Sequence, residues 1–287
     1  MLHWGERVVE NVTRFGPLVL GIDPSVDHVP IALQHGTKHF VEYFSEVLLN
    51  AAQGKIGFVK FQSAYFEQFG SQGMAGLAAA ISMARERGFA IILDAKRGDI
   101  GSTADAYARA FLTPKKHGGS DLEVDCMTVN PFLGPETVEP FVECGRRFGK
   151  GIFVLVKTSN RGSAWLQDRC IGDEPVSNVV ADSVSAWASQ TLAKNGIAAV
   201  GAVVGATFPE QAEQLRRRMP SSVFLMPGVG AQGAQVNSLA SASLNTAPIL
   251  VPVSRGIAAV DEPTMPIEKY RDILTARIAS FADSLRL

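Results

Sequence analysis

Cysteine is scarce: Cys126, Cys144 and Cys170 are the whole set in 287 residues. An odd, sparse set without C-x-x-C spacing argues against a disulfide framework and a thiolate zinc centre, and points to a reducing compartment. Histidine is also thin. His3, His28, His35, His39 and His117 are scattered, and only His35 and His39 approach a metal-ligand spacing, a pair that reads as solvated. No apolar run nears the ~20 residues needed to cross a bilayer, so no membrane partner is expected. The N-terminal Met-Leu-His-Trp-Gly-Glu-Arg has no apolar run behind it and no small-residue cleavage site, and reads as no signal peptide. No block of like charge is present and the formal net charge is −1, so no nucleic-acid partner is expected. No G-x-G-x-x-G follows an N-terminal strand, which argues against a dinucleotide site. The expected location is the cytoplasm.

Hydrophobic residues, by contrast, make up 46% of the chain against 19% charged, the balance of a globular protein with a substantial core. Short β-branched runs recur at 18–23, 56–61, 90–95, 124–129, 151–157, 199–205, 222–226 and 248–253. They read as buried parallel strands. Between them, 39–53, 73–87, 102–112, 136–147, 177–194, 208–218 and 266–285 read as helices; Phe40, Phe44, Val47 and Leu48 form a helical stripe in the first. The helix within 229–247 is the least defined. About eight strand–helix units predict a parallel sheet with right-handed crossovers. Eight units favour a closed (β/α)8 barrel of one domain over 1–287, although periodicity alone leaves an open doubly wound sheet as the alternative. The length exceeds the about 250 residues typical of such barrels but lies within their range.

Two connections, 159–176 and 227–247, are long. Both follow strand C-terminal ends, where barrel active sites form. They read either as lids or as tolerated surface insertions.

Polar residues close one apolar strand after another. The first ends in Asp23, the second carries Lys60, and the third carries Asp94 and Lys96, with Asp99 after Arg97-Gly98. Asp94 and Lys96 stand two apart, so on an extended strand they share a face. Opposite charges at close range hold each other ionised. Such a cluster is a poor source of stability, which favours chemistry over a satisfied ion-pair plug. The seventh strand leads into Pro227-Gly228-Val229-Gly230-Ala231-Gln232-Gly233 and the eighth into Ser254-Arg255-Gly256-Ile257. Loops after strands seven and eight often grip phosphate in barrels, and arginine binds it bidentately. The alternative is ordinary turn glycines beside a surface arginine. Thr158, Ser159 and Asn160 suit either hydrogen bonding to a planar ring or helix N-capping. Asn130-Pro131-Phe132 is a shaped turn or a wall of the site. The cysteines read as small hydrophobes, and Trp165 as a lid residue or a core cover.

Together these segments resemble the orotidine 5′-phosphate decarboxylase family, in its longer, mostly bacterial branch. The Asp-x-Lys-x-x-Asp signature is Asp94-Ala95-Lys96-Arg97-Gly98-Asp99. It is joined by Gly21-Ile22-Asp23-Pro24, Phe58-Val59-Lys60-Phe61, Val129-Asn130-Pro131-Phe132-Leu133-Gly134 and the two phosphate-type loops, in order from about residue 18 to 257. The resemblance implies cofactor-independent decarboxylation of orotidine 5′-monophosphate to UMP, with no metal. It implies Lys96 as proton donor to C6 of the pyrimidine, Asp94 against the substrate carboxylate, and Lys60 as the lysine orienting the network. It further implies Asp99 contributed across a homodimer interface with Ile100 and Thr103 beside it, Asp23 on the ribose, and Ser159 on the pyrimidine. Gln232, Arg255 and Gly256 would grip the phosphate. One departure is Pro252-Val253-Ser254-Arg255, where relatives carry a Gly-Arg or Ser-Ser-Arg context; it keeps the arginine and puts the local geometry in question. Related barrels that act on sugar phosphates with a divalent metal share a similar signature, and a non-catalytic nucleotide-binding barrel is a further alternative.

Overall fold

The aliphatic runs become strands because their side chains are withdrawn from water on both faces. In the computed structural model, which describes residues 2–34, 37–229, 239, 242 and 247–286, they are β1 (Leu18–Ile22), β2 (Phe58–Gln62), β3 (Ala90–Arg97), β4 (Cys126–Val129) and β5 (Gly151–Lys157). A two-stranded antiparallel ribbon follows, β6 (Cys170–Ile171) with β7 (Glu174–Pro175), and then β8 (Val200–Val204), β9 (Phe224–Leu225) and β10 (Ile249–Val253). The eight strands outside the ribbon close in the order β1-β10-β9-β8-β5-β4-β3-β2. This is the (β/α)8 barrel that the strand–helix pattern implies, and the closed order excludes the open sheet. The loop 159–176 is not featureless: it holds a 3-10 turn over Arg161–Trp165 and the β6–β7 ribbon. Most of 227–247 lies outside the described residues.

Two compact units make up the chain, residues 1–10 with 96–251, and residues 11–95 with 252–287. In the second, the expected stripe holds: Phe40, Phe44, Val47 and Leu48 of the helix Thr37–Ala52 are all buried. Each large apolar side chain so buried contributes roughly 1.5–3 kcal/mol. The helix Gly70–Glu86 lies against it so closely that a Cβ on Gly76 would come within 2.7 Å of Val41 Cγ1. Phe61 and Phe66 meet edge to face at 5.8 Å.

A helix the sequence pattern did not announce runs over Trp4–Phe15, and its residues up to Glu10 belong to the first unit. Trp4 packs edge-on against Phe153 of β5, with ring centroids 6.1 Å apart. Gly151 makes room for it, since a Cβ there would stand 2.5 Å from the indole. Arg7 reaches Asp125 at 2.9 Å. Arg216 is buried with its guanidinium over the Phe224 ring at 3.6 Å, and donates to the carbonyls of Ala242, Met219 and Ser222. Burial lowers its pKa to about 9.

Candidate active site

Lys60 sits on β2, in register with Gly21 of β1 and Ile92 of β3, and is 7% exposed. An ammonium in such a place needs fixed partners. Its Nζ lies 3.2 Å from Asp94 Oδ2 and 4.0 Å from Asp23 Oδ1, and donates to Gln62 Oε1 at 3.1 Å. Burial pulls the Lys60 pKa down, but the charges of Asp94 and Asp23, the hydrogen bond to Asp94 and the charge of Tyr65 outweigh it, and the net shift is upward. Lys60 is therefore a fixed cation at neutral pH. Three of the expected site residues are brought together here from three successive strands: Asp23 just past β1, Lys60 within β2 and Asp94 within β3.

Asp23 Oδ1 is buried and accepts no hydrogen bond among the described residues. An unsatisfied buried acceptor at the edge of a cavity suits a ligand hydroxyl. The cavity holds about 250 Å³ and is lined by Asp23, His28, Tyr65, Ser254 and Arg255 among others. Ser254 can approach β1 because residue 21 is glycine: a Cβ there would stand 2.6 Å from Ser254 Cβ. Arg255 opens a short helix, Arg255–Ala258, that follows β10 directly. That helix is braced by Tyr270 Oη donating to the Ala258 carbonyl at 2.8 Å and by Arg277 donating to the Ile257 carbonyl at 3.0 Å. The Pro252-Val253 context thus delivers Arg255 to this cavity. Its side chain is exposed and makes no ion pair among the described residues. Gly256 packs beneath, where a Cβ would lie 3.1 Å from the Phe281 ring.

In the other unit, Lys96 adopts φ 47, the left-handed region. Only one other non-glycine described residue, His28, does so. This costs a non-glycine residue about 1–3 kcal/mol and is concentrated at functional sites. The Lys96 amide is held by Thr128 Oγ1 of β4 at 2.9 Å. The same-face rule for Asp94 and Lys96 assumes extended backbone, and at Lys96 that premise does not hold. Beyond it, the Asn130 amide donates to the Arg97 carbonyl at 2.7 Å, and Gly98 crosses Asn130 so closely that a Cβ would meet its carbonyl at 2.6 Å. This makes Asn130 a shaped turn. Asp99 Oδ1 accepts the Ile100 amide at 2.8 Å, and Thr103 donates its amide to the Ile100 carbonyl as the helix Gly101–Leu112 begins. Ile100 is 63% exposed.

Ser159 follows β5. The capping reading fails for Asn160, which makes no side-chain cap to the turn after it. The Thr158 hydroxyl is engaged by Asn160 and Gln167. Ser159 binds only through its carbonyl, to Thr207 Oγ1 at 3.3 Å, which leaves its own hydroxyl unbonded among the described residues. Gln232 lies outside the described residues, as does the rest of 230–233. Sequence reasoning passed over Gln62, Tyr65 and Thr128. Gln62 was legible as the next residue on the face of Lys60, and Thr128 as the hydroxyl within an otherwise apolar run. Tyr65, in the short helix Ser63–Glu67, carried no signal.

A sequence profile described as "Orotidine 5'-phosphate decarboxylase / HUMPS family" matches residues 17–270. An orotidine 5′-phosphate decarboxylase of Rhodopirellula baltica is 40% identical over 268 residues, covering 90% of this chain and 88% of its own. That of Caldicellulosiruptor bescii is 36% identical, covering 83% of each. A crystal structure from Streptomyces avermitilis superposes with a TM-score of 0.83 at 32% identity, over 100% of this chain and 95% of its own. The profile spans the strands from β1 to β10 and every described residue of the charged cluster, so the chain belongs to the orotidine 5′-phosphate decarboxylase / HUMPS family.

Proposed function

We propose that this protein decarboxylates orotidine 5′-monophosphate to UMP and CO2, the last step of de novo UMP synthesis, without a cofactor. The observation that carries the reading is the buried Lys60, held charged by Asp94 and Asp23 beside an unsatisfied Asp23 oxygen.

Loss of CO2 breaks the bond between C6 and the carboxylate carbon and leaves the electron pair on C6, where the ring offers no sink. The Lys96 ammonium stabilises that charge and gives its proton to C6, and then recovers a proton from solvent. A preorganised cation is worth most where water is excluded. Asp94 stands against the departing carboxylate and Lys60 keeps Asp94 ionised and oriented. Asp23 takes a ribose hydroxyl, Ser159 a polar edge of the pyrimidine, and Arg255, Gly256 and Gln232 the phosphate. Binding energy from the phosphate is available to orient the ring.

The proposal extends to one catalytic domain acting in the cytoplasm as a homodimer, with Asp99, Ile100 and Thr103 serving the partner's site. Exposed Ile100, Phe132 and Leu133, at 63%, 73% and 48%, support an apolar interface. No helix among the described residues is long and apolar enough to cross a membrane.

Loss of the orotate ultraviolet band in the presence of EDTA tests the reading. Full turnover in EDTA supports it. Undetectable turnover with the substrate intact overturns it. Activity on a sugar phosphate that needs a divalent metal would favour the related barrels instead, and UMP binding without CO2 release would favour a non-catalytic binder.

A further inference from the structure

Lys157 ends β5, is fully buried, and has no part in the chemistry above. Its Nζ lies 2.6 Å from Asp168 Oδ1 and 4.5 Å from the centroid of the Phe208 ring. Asp168 Oδ1 also accepts from Gln211 Nε2 at 3.1 Å. A buried ammonium is a weak source of stability, because desolvation offsets most of the Coulomb gain, and an apolar pair of similar volume would often do as well. Its partner, however, is on the loop that carries Ser159.

That loop is fastened twice at its neck. Lys157 and Asp168 join the two ends of its first part, 158–168. One residue inside, the Thr158 amide donates to Gln167 Oε1 at 2.9 Å and Gln167 Nε2 donates back to Thr158 Oγ1 at 2.9 Å. Ser159 is the next residue in. Its backbone is further confined by Thr207 Oγ1 on its carbonyl and by Gly205, where a Cβ would stand 2.8 Å from Ser159 Cα. The Gly205 amide in turn donates to the Lys157 carbonyl at 2.7 Å.

We infer that Lys157, acting through Asp168, is a positioning residue. The ion pair clamps the neck of the loop 158–168 so that the free Ser159 hydroxyl is in place before the substrate's ring arrives. Ordering a loop in advance removes that entropy from the binding step. The inference rests on the proposed decarboxylase reading, in which Ser159 meets the pyrimidine.

The test compares Lys157→Met, Lys157→Arg and the apolar pair Lys157→Met/Asp168→Leu, each alone and with Ser159→Ala. The clamp predicts KM for orotidine 5′-monophosphate raised tenfold or more in Lys157→Met and in the apolar pair, with kcat within threefold. Lys157→Arg keeps the pair and stays within threefold in both. With Ser159→Ala already present, Lys157→Met adds less than threefold to KM. A lowered melting temperature with KM unchanged makes the pair merely structural and overturns the inference. Hydrogen exchange of the amides at 158–168 in the ligand-free protein is the second arm: at least tenfold faster exchange in Lys157→Met supports the clamp, and unchanged exchange overturns it. Should the wild type fail to turn over the substrate, the decarboxylase reading fails by itself and this arm still decides the clamp.

Discussion

The Lys96 amide donates to Thr128 Oγ1 at 2.9 Å, and Lys96 is the residue whose backbone turns left-handed, at φ 47. A conformation disfavoured by about 1–3 kcal/mol persists only where its surroundings over-determine it. Thr128→Val keeps the shape of β4 and removes the acceptor. Kcat is expected to fall by about 10- to 100-fold, as it does when a reacting group shifts by about 1 Å. KM should stay within threefold, and Thr128→Ser should restore most of the loss. A Val variant with wild-type kcat would remove Thr128 from this role.

That bond also marks where the sequence stops being informative. Alternation along β3 places Asp94 and Lys96 on one face only if every residue between and including them is extended. The left-handed residue Lys96 donates its amide to a hydroxyl on another strand, and no local pattern encodes that bond. The strands themselves were legible because buried parallel strands are short, continuous and β-branched; β5 runs over Gly151–Lys157 as expected. The helix from Trp4 was not, because its buried face is little more than Trp4 and Val8 among charged neighbours. Lys157 stood in plain view inside an apolar run, but its meaning depends on Asp168, eleven residues on and in a loop.

Lys96→Ala isolates chemistry from binding. Turnover should be nearly abolished while UMP affinity, measured by calorimetry, stays close to wild type. A variant within tenfold of wild-type kcat would take the proton-donor role from Lys96.

Lys60→Met removes the ammonium that pairs with Asp94 and Asp23. Breaking a buried pair in this way costs about 3–5 kcal/mol, and activity should fall with it. The pH dependence has a definite sign. Lys60 is raised in the folded protein, mainly because the Asp94 and Asp23 charges outweigh its burial. Its contribution is complete below the unfolded lysine value of about 10.4 and is lost as pH rises through the higher folded value. In urea titrations the stability gap between wild type and Lys60→Met should be constant from pH 7 to 9 and narrow above about pH 10.5. A gap that closes in the acid range instead would contradict this.

Gly21→Ala places a methyl 2.6 Å from Ser254 Cβ, next to the residue that presents Arg255. Overpacking of this kind costs about 1–3 kcal/mol. The displaced Ser254-Arg255 end should weaken inorganic phosphate as a competitive inhibitor more than it weakens uridine. Equal effects on both would mean that the strain is absorbed away from Arg255.

The three thiols should differ sharply toward an aromatic disulfide reagent. Cys126 is buried, and burial raises its pKa well above the ordinary thiol value. Cys144 is also buried, and burial raises it to about 11 despite a hydrogen bond with Thr113. The thiolate is the nucleophile, so neither reacts appreciably at pH 8. Cys170 is exposed, on the ribbon that follows the segment Lys157 fastens. Native protein should therefore release about one equivalent of chromophore and denatured protein about three, following the count of free cysteines. Because Cys170 adjoins Arg169 and Asp168, modification there should also raise KM if the neck of the loop must stay closed. Labelling without any change in KM would show that the ribbon moves independently of the neck.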